Sequence, residues 1–336
     1  MGNGFAELGR KLEDKYPSKL NTERIPTRSK EFNDLLGGGV PVGCVVTFWG
    51  EPKVGKTHMA LEFCRAFCKD GKNSVWLDFE NSTEEGIIKG FGLDEYNQDE
   101  QFRVHHNLQS TYDLEEILDG TTGDIDGYLV RPETDLVVID SLAGVTPTAL
   151  MEGSVSDGDT ANKTIEDTQL VNKISSLAGK NDTTIVFVQQ QRADVQASMA
   201  TGYDLKKSAG GNALDHFTHV KFKMKRNATV DKKDGSVDYG EVQFEMEKNK
   251  TGEIKPEKTI PIRYGKGFDE DLIIMNTLQN NKDVLSPDIF EKSGSWKKLH
   301  LPSGDYQKQS KQAFEKEVIA ENREEIKEIL EHKGLL

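Results

Sequence analysis

The sequence predicts an α/β protein whose core is a mostly parallel central sheet flanked by helices. Two observations lead to this fold class. Short, strongly apolar runs alternate with stretches of helical periodicity between residues 44 and 190, which is typical of strand–helix–strand units. One of these runs, DLVVID at 135–140, is apolar almost throughout, as expected of a strand buried on both faces of a sheet.

Four strands and three helices are predicted in this parallel part. The strands are CVVTFWG (44–50), SVWLDF (74–79), DLVVID (135–140) and TTIVFVQQ (183–190). Helices are expected at EFNDLL, which ends at glycines 37–39, at 58–71 and at 163–179, because apolar residues recur there at helical spacing.

The pattern changes after residue 210. HVKFKMKR (219–226) and EVQFEMEKN (241–249) alternate strictly, which predicts antiparallel strands joined through the turn DKKDGS, and TIPIRY (259–264) extends that sheet. Residues 270–336 are expected to end in one amphipathic helix from about 308 to 333.

Three parts follow from these patterns. A short helix over 5–16, ended by Pro17, and a polar linker make up residues 1–34. The α/β core spans 35–268, and a small C-terminal domain spans 269–336.

Composition bounds the function. The 336 residues are 35% hydrophobic and 30% charged, which excludes a fully disordered chain. We expect no membrane span, no secretory signal and, with three cysteines, no disulfide scaffold, so the expected location is the cytoplasm. The net charge of −14 argues against coating DNA by bulk positive charge, but it leaves a local basic groove open.

The sharpest signal is GEPKVGKT, which matches the phosphate-binding loop G-x-x-x-x-G-K-[ST] between a strand and a helix. Its backbone N–H groups converge on phosphate oxygens, and its lysine neutralises the β- and γ-phosphates. We therefore predict that a nucleoside triphosphate binds here. The predicted contacts are Gly50, Glu51, Pro52, Lys53, Val54, Gly55, Lys56, Thr57 and His58.

Carboxylates follow two of the predicted strands. Asp140 ends DLVVID, at the sheet edge where ligands of open α/β sheets bind. With the Thr57 hydroxyl it is the predicted Mg²⁺ site, Asp140 acting through a water molecule. Glu80 is a candidate general base, in competition with Asp78 on the same strand face, and Gln190 is a candidate sensor of the γ-phosphate.

These motifs, in this order and spacing, resemble the RecA recombinase family. GGGVPVGCVVTFWGEPKVGKT is similar to the family's opening strand and loop, and DLVVIDSLAGVTPTALMEG to its Walker-B strand and first DNA-binding loop. The two flanks of the family's second DNA-binding loop are resembled by TTIVFVQQQRADV and AGGNAL. The segments that reach the neighbouring subunit are resembled by MEKNKTG and IRYGKG. The resemblance covers about residues 5–305, and local departures bring the chain nearest to phage recombinases of the UvsX type.

The resemblance implies a RecA-like P-loop NTPase core and assigns roles within it. Glu80 takes the position of the catalytic glutamate, and Gln190 that of the glutamine that senses the γ-phosphate. Lys248 and Lys250 match lysines that reach the neighbouring subunit's γ-phosphate; a solvated strand end is the alternative for them. The resemblance also assigns Tyr264 and Gly265 to an adenine contact made from the adjacent subunit.

DNA contacts are expected from two loops, over about 150–162 and 192–211. The second is the better candidate, since it carries cations for phosphates and glycines for close approach, although a polar loop without a ligand is the alternative. Its predicted contacts are Arg192, Lys206, Lys207, Gly210, Gly211 and Asn212. Binding to single- and double-stranded DNA should be largely independent of sequence.

The N-terminal helix resembles the family's polymerisation element, so head-to-tail assembly into a helical filament is expected. Two positions depart from the family. Ile87 stands where an aromatic residue stacks on adenine, and His216 where a Phe passes the nucleotide state between subunits, although Phe217 follows.

The function implied is an ATP-dependent DNA recombinase that pairs and exchanges homologous strands and hydrolyses ATP at subunit interfaces. Two alternatives share the core: a ring-forming helicase motor, and a recombination mediator or paralogue that caps or loads another recombinase. A mediator or single-strand-binding protein is a further possible partner.

Overall fold

The fold of the protein is described from a computed structural model. The structure describes residues 22–98, 100–121, 123, 126–148, 159–193, 206–208, 211–231 and 237–336. The predicted helix over 5–16, most of both predicted DNA loops and Gly210 lie outside these ranges.

A nine-stranded sheet forms the centre of the fold, with strand order β11-β10-β9-β3-β7-β6-β4-β5 and β8 paired with β7. A two-stranded sheet (β1-β2) and a three-stranded sheet (β12-β13-β14) lie outside it. The strands are β1 (Arg24–Ile25), β2 (Val40–Pro41), β3 (Val45–Gly50), β4 (Ser74–Asp78), β5 (Phe102–His105), β6 (Leu136–Asp140), β7 (Thr184–Ala193), β8 (Lys206–Ser208), β9 (Val220–Asp231), β10 (Val237–Asn249), β11 (Lys258–Arg263), β12 (Phe290–Ser293), β13 (Trp296–Leu301) and β14 (Gly304–Lys308).

Helices cover both faces of the central sheet. The α-helices are α1 (Lys30–Leu36), α2 (Lys56–Lys69), α3 (Glu85–Gly90), α4 (Asp94–Gln98), α5 (Thr111–Asp119), α6 (Asp159–Asn181), α7 (Gly211–Phe217), α8 (Glu270–Asn280), α9 (Lys282–Leu285), α10 (Lys311–Phe314) and α11 (Arg323–His332). Two short 3₁₀ turns (Tyr128–Val130 and Leu142–Gly144) and a π-helical segment (Glu315–Ile319) complete the described elements.

The predicted parallel sheet is confirmed. β3, β4, β6 and β7 are mutually parallel along the sheet, and every residue of β3, β4 and β6 is buried, as their apolar runs require. Their register aligns Asp78 with Asp140 and Gly50 with Gln190. The carboxyl ends of these strands therefore bring the predicted phosphate loop and both carboxylates to one edge of the sheet.

The predicted antiparallel strands are confirmed as well, since β9 pairs with β10 and β10 with β11. Phe222, Met224 and Phe244 point into the core and are at most 1% exposed, whereas Lys225 and Arg226 are exposed. The alternation of apolar and charged residues in this hairpin thus places one face on the core and the other in solvent.

The single helix predicted over 308–333 is wrong. Residues 304–308 instead pair with β13, and Ser310 caps the chain by accepting the Ala313 N–H at 3.0 Å, so the helix begins only at Lys311. Asn322 interrupts it again, because its side-chain amide donates to the Val318 carbonyl at 2.8 Å. The break lets Phe314, on one side, and Leu330, on the other, pack into one small core over β12–β14.

No helix within the described ranges is long and apolar enough to cross a bilayer.

A buried ion pair joins the chain before α1 to α2. Arg28 Nε and Nη2 donate to the carboxylate of Glu62, whose side chain is 1% exposed, at 3.0 and 2.5 Å. Arg28 also donates to the Lys266 carbonyl at 2.6 Å. One guanidinium therefore connects three segments of the core.

Arg28→Met leaves the Glu62 charge buried without its partner and should lower the free energy of unfolding by about 3 kcal/mol in urea titrations. The matched control is Lys30→Met, which removes an exposed pair with Asp34 and should cost less than about 1 kcal/mol. The double variant Arg28→Met/Glu62→Leu should recover most of the loss. Equal losses in Arg28→Met and the control would contradict this account.

Candidate nucleotide site

The carboxyl edge of the parallel strands opens into a cleft of about 570 Å³. One end carries the phosphate loop and the carboxylates, and the other end is mostly apolar and aromatic. The lining residues are Pro52, Lys53, Gly55, Lys56, Thr57, His58, Glu80, Ser82, Ile87, Asp140, Val188, Gln190, Arg226, Val237 and Tyr264.

The phosphate loop depends on backbone shapes that only glycine adopts easily. Gly50 has a φ of 154°, and a Cβ there would lie 2.2 Å from the Met224 carbonyl oxygen. Gly55, with a φ of 107°, precedes the first residue of α2. Lys56 Nζ donates to the carbonyls of Gly50 (3.1 Å) and Glu51 (2.7 Å), and burial lowers the pKa of this ammonium despite the neighbouring carboxylates. The loop thus holds a desolvated cation at the start of a helix, where an anion is stabilised.

Thr57 and Asp140 meet directly at the end of β6. The Thr57 hydroxyl donates to Asp140 Oδ2 at 2.7 Å, while Asp140 Oδ1 is buried with no hydrogen-bond partner. Burial raises the pKa of this carboxyl to about 7, helped by the charges of Glu80 and Asp78. An orphaned carboxylate oxygen beside a hydroxyl fits a hard divalent cation such as Mg²⁺.

The described residues contain no cluster of three His, Cys, Asp or Glu side chains that could hold a metal by itself.

Glu80 and Gln190 are brought together. Gln190 Nε2 donates to Glu80 Oε1 at 2.8 Å, and the Ser141 hydroxyl donates to the same oxygen at 2.7 Å. Asp78, the competing candidate base, does not line the cleft: it is fully buried and accepts the Thr83 N–H at 2.8 Å. The geometry therefore favours Glu80 over Asp78 as the carboxylate available to a water molecule.

Lys248 and Lys250 lie away from the cleft of their own chain. Both ammonium groups donate to carbonyls at the C-terminal end of α7: Lys248 to Asp215 and Lys250 to His216, the latter at 2.7 Å. They are not among the residues that line the cleft.

Tyr264 and Gly265 lie beside the phosphate loop and α2 of their own chain. Tyr264 lines the cleft, and the predicted adenine contact from an adjacent subunit stays a prediction. The Gly265 N–H donates to His58 Nε2 at 2.8 Å, and the Tyr264 hydroxyl lies 3.4 Å from the Lys53 carbonyl. The turn after β11, which folds back over α2, accounts for this. We call Tyr264–Gly265 the base-side corner.

The predicted DNA contacts are only partly described. β8, with Lys206 and Lys207, pairs antiparallel with the end of β7, and Arg192 is in register with Lys207. Gly211 and Asn212 begin α7. Arg192 shares the carboxyl end of β7 with Gln190, so the strand that carries the candidate sensor also leads into the second loop.

Sequence reasoning missed two neighbours of the cleft. Arg226 reaches it from β9, where its guanidinium donates to the Lys53 carbonyl and lies 6.0 Å from the ring of Tyr264. Ser141, fully buried, orients Glu80. The serine directly after Asp140 offered a signal, whereas Arg226 resembled any cation on an exposed strand face.

A family model described as the RecA N-terminal domain matches residues 8–269. The protein RecA of Fusobacterium nucleatum is 27% identical over 318 residues, which cover 93% of this chain and 78% of that protein. The protein RecA of Nitratiruptor sp. is 30% identical over 290 residues, covering 85% of this chain and 77% of that protein. The protein RecA of Nautilia profundicola is 29% identical over 288 residues, covering 85% and 75%.

The raised pKa of Asp140 predicts how Asp140→Asn changes stability with pH. Without metal, the folded state keeps the proton up to pH about 7, while the unfolded carboxyl loses it near 3.8, so the wild type loses stability as pH rises through this interval. The variant lacks this loss. Its advantage in unfolding free energy should be small at pH 4.5 and a few kcal/mol at pH 8, and it should shrink when Mg²⁺ is added. An advantage that does not grow with pH would contradict the assignment.

Gly90→Ala should disturb the base-side corner. A Cβ on Gly90, the last residue of α3, would lie 1.8 Å from the Gly265 carbonyl oxygen, so the corner must shift. We expect ATP binding to weaken about tenfold or more in fluorescence titrations. Gly86→Ala is the matched control in the same helix, where a Cβ meets nothing within 4 Å; it should leave binding intact and gain about 0.5 kcal/mol of stability. Equal effects of both substitutions would refute the role of this contact.

Proposed function

This chain belongs to the RecA family of ATP-dependent recombinases, and we propose that it hydrolyses ATP in the cleft at the carboxyl edge of its sheet while assembled as a filament on DNA. The observation that carries the proposal is the convergence of Lys56, Thr57, Asp140, Glu80 and Gln190 in one cleft. Family membership implies DNA binding, filament formation and strand exchange.

Each group in the cleft has a distinct role. The loop amides and Lys56 bind the β- and γ-phosphates, and Thr57 and Asp140 hold Mg²⁺. The cation neutralises charge on the phosphate oxygens when bound. Glu80, oriented by Ser141 and Gln190, accepts hydrogen bonds from the attacking water and positions it. Because Gln190 also donates a hydrogen bond to Glu80, a γ-phosphate that attracts Gln190 changes the position of Glu80, the candidate general base.

We infer that Lys248 and Lys250 serve the neighbouring subunit's site. Their position outside their own cleft supports this role, since a cation that stabilises the transferring phosphoryl group must lie within contact distance of it. Desolvation, together with the charge of Lys250, lowers the pKa of Lys248, so the pair is poised for an anion. A neighbour's triphosphate supplies that anion only in an assembly.

We assign DNA binding to the segment from Arg192 to Asn212. Its cations contact the DNA phosphates, while pairing between homologous strands recognises the sequence. Double-stranded DNA is the second substrate of strand exchange. A single-strand-binding protein or a mediator is proposed as a further partner, and the protein acts in the compartment that holds the DNA.

The test is ATP hydrolysis with and without single-stranded DNA by the wild type, Lys56→Ala, Lys248→Ala/Lys250→Ala, and an equal mixture of the two variants. Wild-type turnover should rise strongly with DNA, and each variant alone should lose it. In the mixture, about one interface in four joins an intact cleft to intact lysines, so about a quarter of the activity should return.

Lys30→Ala removes an exposed ion pair that does not line the cleft, so it is the control and should match the wild type. A mixture no more active than its components would show that the lysines do not act in trans. Wild-type turnover that does not change with DNA and equals that of Lys56→Ala would instead favour a mediator. Closed rings that unwind duplex DNA would favour a helicase motor.

A further inference from the structure

His58 stands between the phosphate loop and the base-side corner. It is the third residue of α2, and its Nε2 accepts the Gly265 N–H at 2.8 Å. Its ring meets the ring of Tyr264 edge-on, with centroids 5.7 Å apart and planes at 86°, and it contacts Phe91 at the same centroid distance. One imidazole therefore joins the beginning of α2 to the corner.

The apolar end of the cleft suits the base of a nucleotide. Ile87, Val237 and Tyr264 line it, beside the loop that suits the phosphates. The distance between the base-side corner and the phosphate loop therefore limits the length of a nucleotide that can contact both.

The other contacts that hold the corner on the loop are weaker. The Tyr264 hydroxyl lies 3.4 Å from the Lys53 carbonyl, near the limit of a hydrogen bond, and the Arg226 guanidinium lies 6.0 Å from the Tyr264 ring. The bond from Gly265 to His58 is the short and direct one.

This bond requires a neutral imidazole with its proton on Nδ1, because a protonated Nε2 cannot accept. The structure places Nε2 as the acceptor of the Gly265 N–H, which identifies this neutral tautomer.

We propose that His58 is a specificity-determining positioning residue: by accepting the Gly265 N–H it sets the distance from the phosphate loop to the base-side corner, so that the cleft prefers a nucleoside triphosphate to a phosphate chain alone. The inference rests on the proposed function, since it assigns the occupant of the same cleft. His58 then contributes to binding through the nucleoside part of the ligand and not through the phosphates.

The test compares ATP with inorganic tripolyphosphate by calorimetric titration of the full chain in Mg²⁺. His58→Leu removes the acceptor and should weaken ATP binding about tenfold while changing tripolyphosphate binding by less than about twofold. His58→Gln, whose amide oxygen can accept the same N–H, should recover most of the ATP affinity. In DNA-stimulated hydrolysis, His58→Leu should raise KM for ATP more than it lowers kcat.

Equal weakening for both ligands would overturn the inference, because it would mean that His58 supports the phosphate loop. Unchanged ATP affinity in His58→Leu, or His58→Gln no better than His58→Leu, would overturn it as well. Should His58→Leu not fold, His58→Asn, whose side chain is shorter, takes its place against His58→Gln. A wild type that binds neither ligand would refute the proposed function, which is a separate result.

Discussion

The register of the parallel strands is the constraint on which the rest of the site depends. Because β4 and β6 are aligned with Asp78 opposite Asp140, and β3 and β7 with Gly50 opposite Gln190, four strands end at one level of the sheet. A shift of one residue in any pair would turn a functional side chain to the opposite face. The fully buried strands prevent such a shift, because it would place the wrong side chains against the helices that pack on the sheet.

This register creates an electrostatic conflict that the proposed nucleotide and Mg²⁺ would resolve. Asp140 lies near the charges of Glu80, Asp78 and Lys56, and burial raises the pKa of Asp140 and lowers that of Lys56. Both groups reach their functional charge more easily once opposite charges arrive: a cation for Asp140 and phosphates for Lys56. The site is therefore destabilised when empty and gains most from the ligand pair that it binds.

The sequence was sufficient for those parts of the structure that local patterns determine. Continuous apolar runs predicted the strands of the sheet, and GEPKVGKT predicted the loop and the start of α2. Tertiary contacts decided what the sequence could not show. Nothing local to IRYGKG indicates that it folds back onto its own loop, because that position depends on the Gly90–Gly265 contact and on His58. The interruption at Asn322 likewise arises from a side-chain hydrogen bond within a run of good helix formers.

The two ends of the cleft are completed by different means. The base-side corner comes from the chain itself, whereas Lys248 and Lys250, which we propose for the phosphate end of a neighbour's cleft, donate to carbonyls in the last turn of α7 and do not line their own cleft. α7 begins at Gly211, where the second loop returns to the core, so one seven-residue helix connects that loop to the ammonium groups. Under the proposed function, a displacement of the first residue of α7 by DNA reaches the lysines through this one element. On that proposal, nucleotide binding is a property of the single chain, while hydrolysis depends on assembly and on DNA.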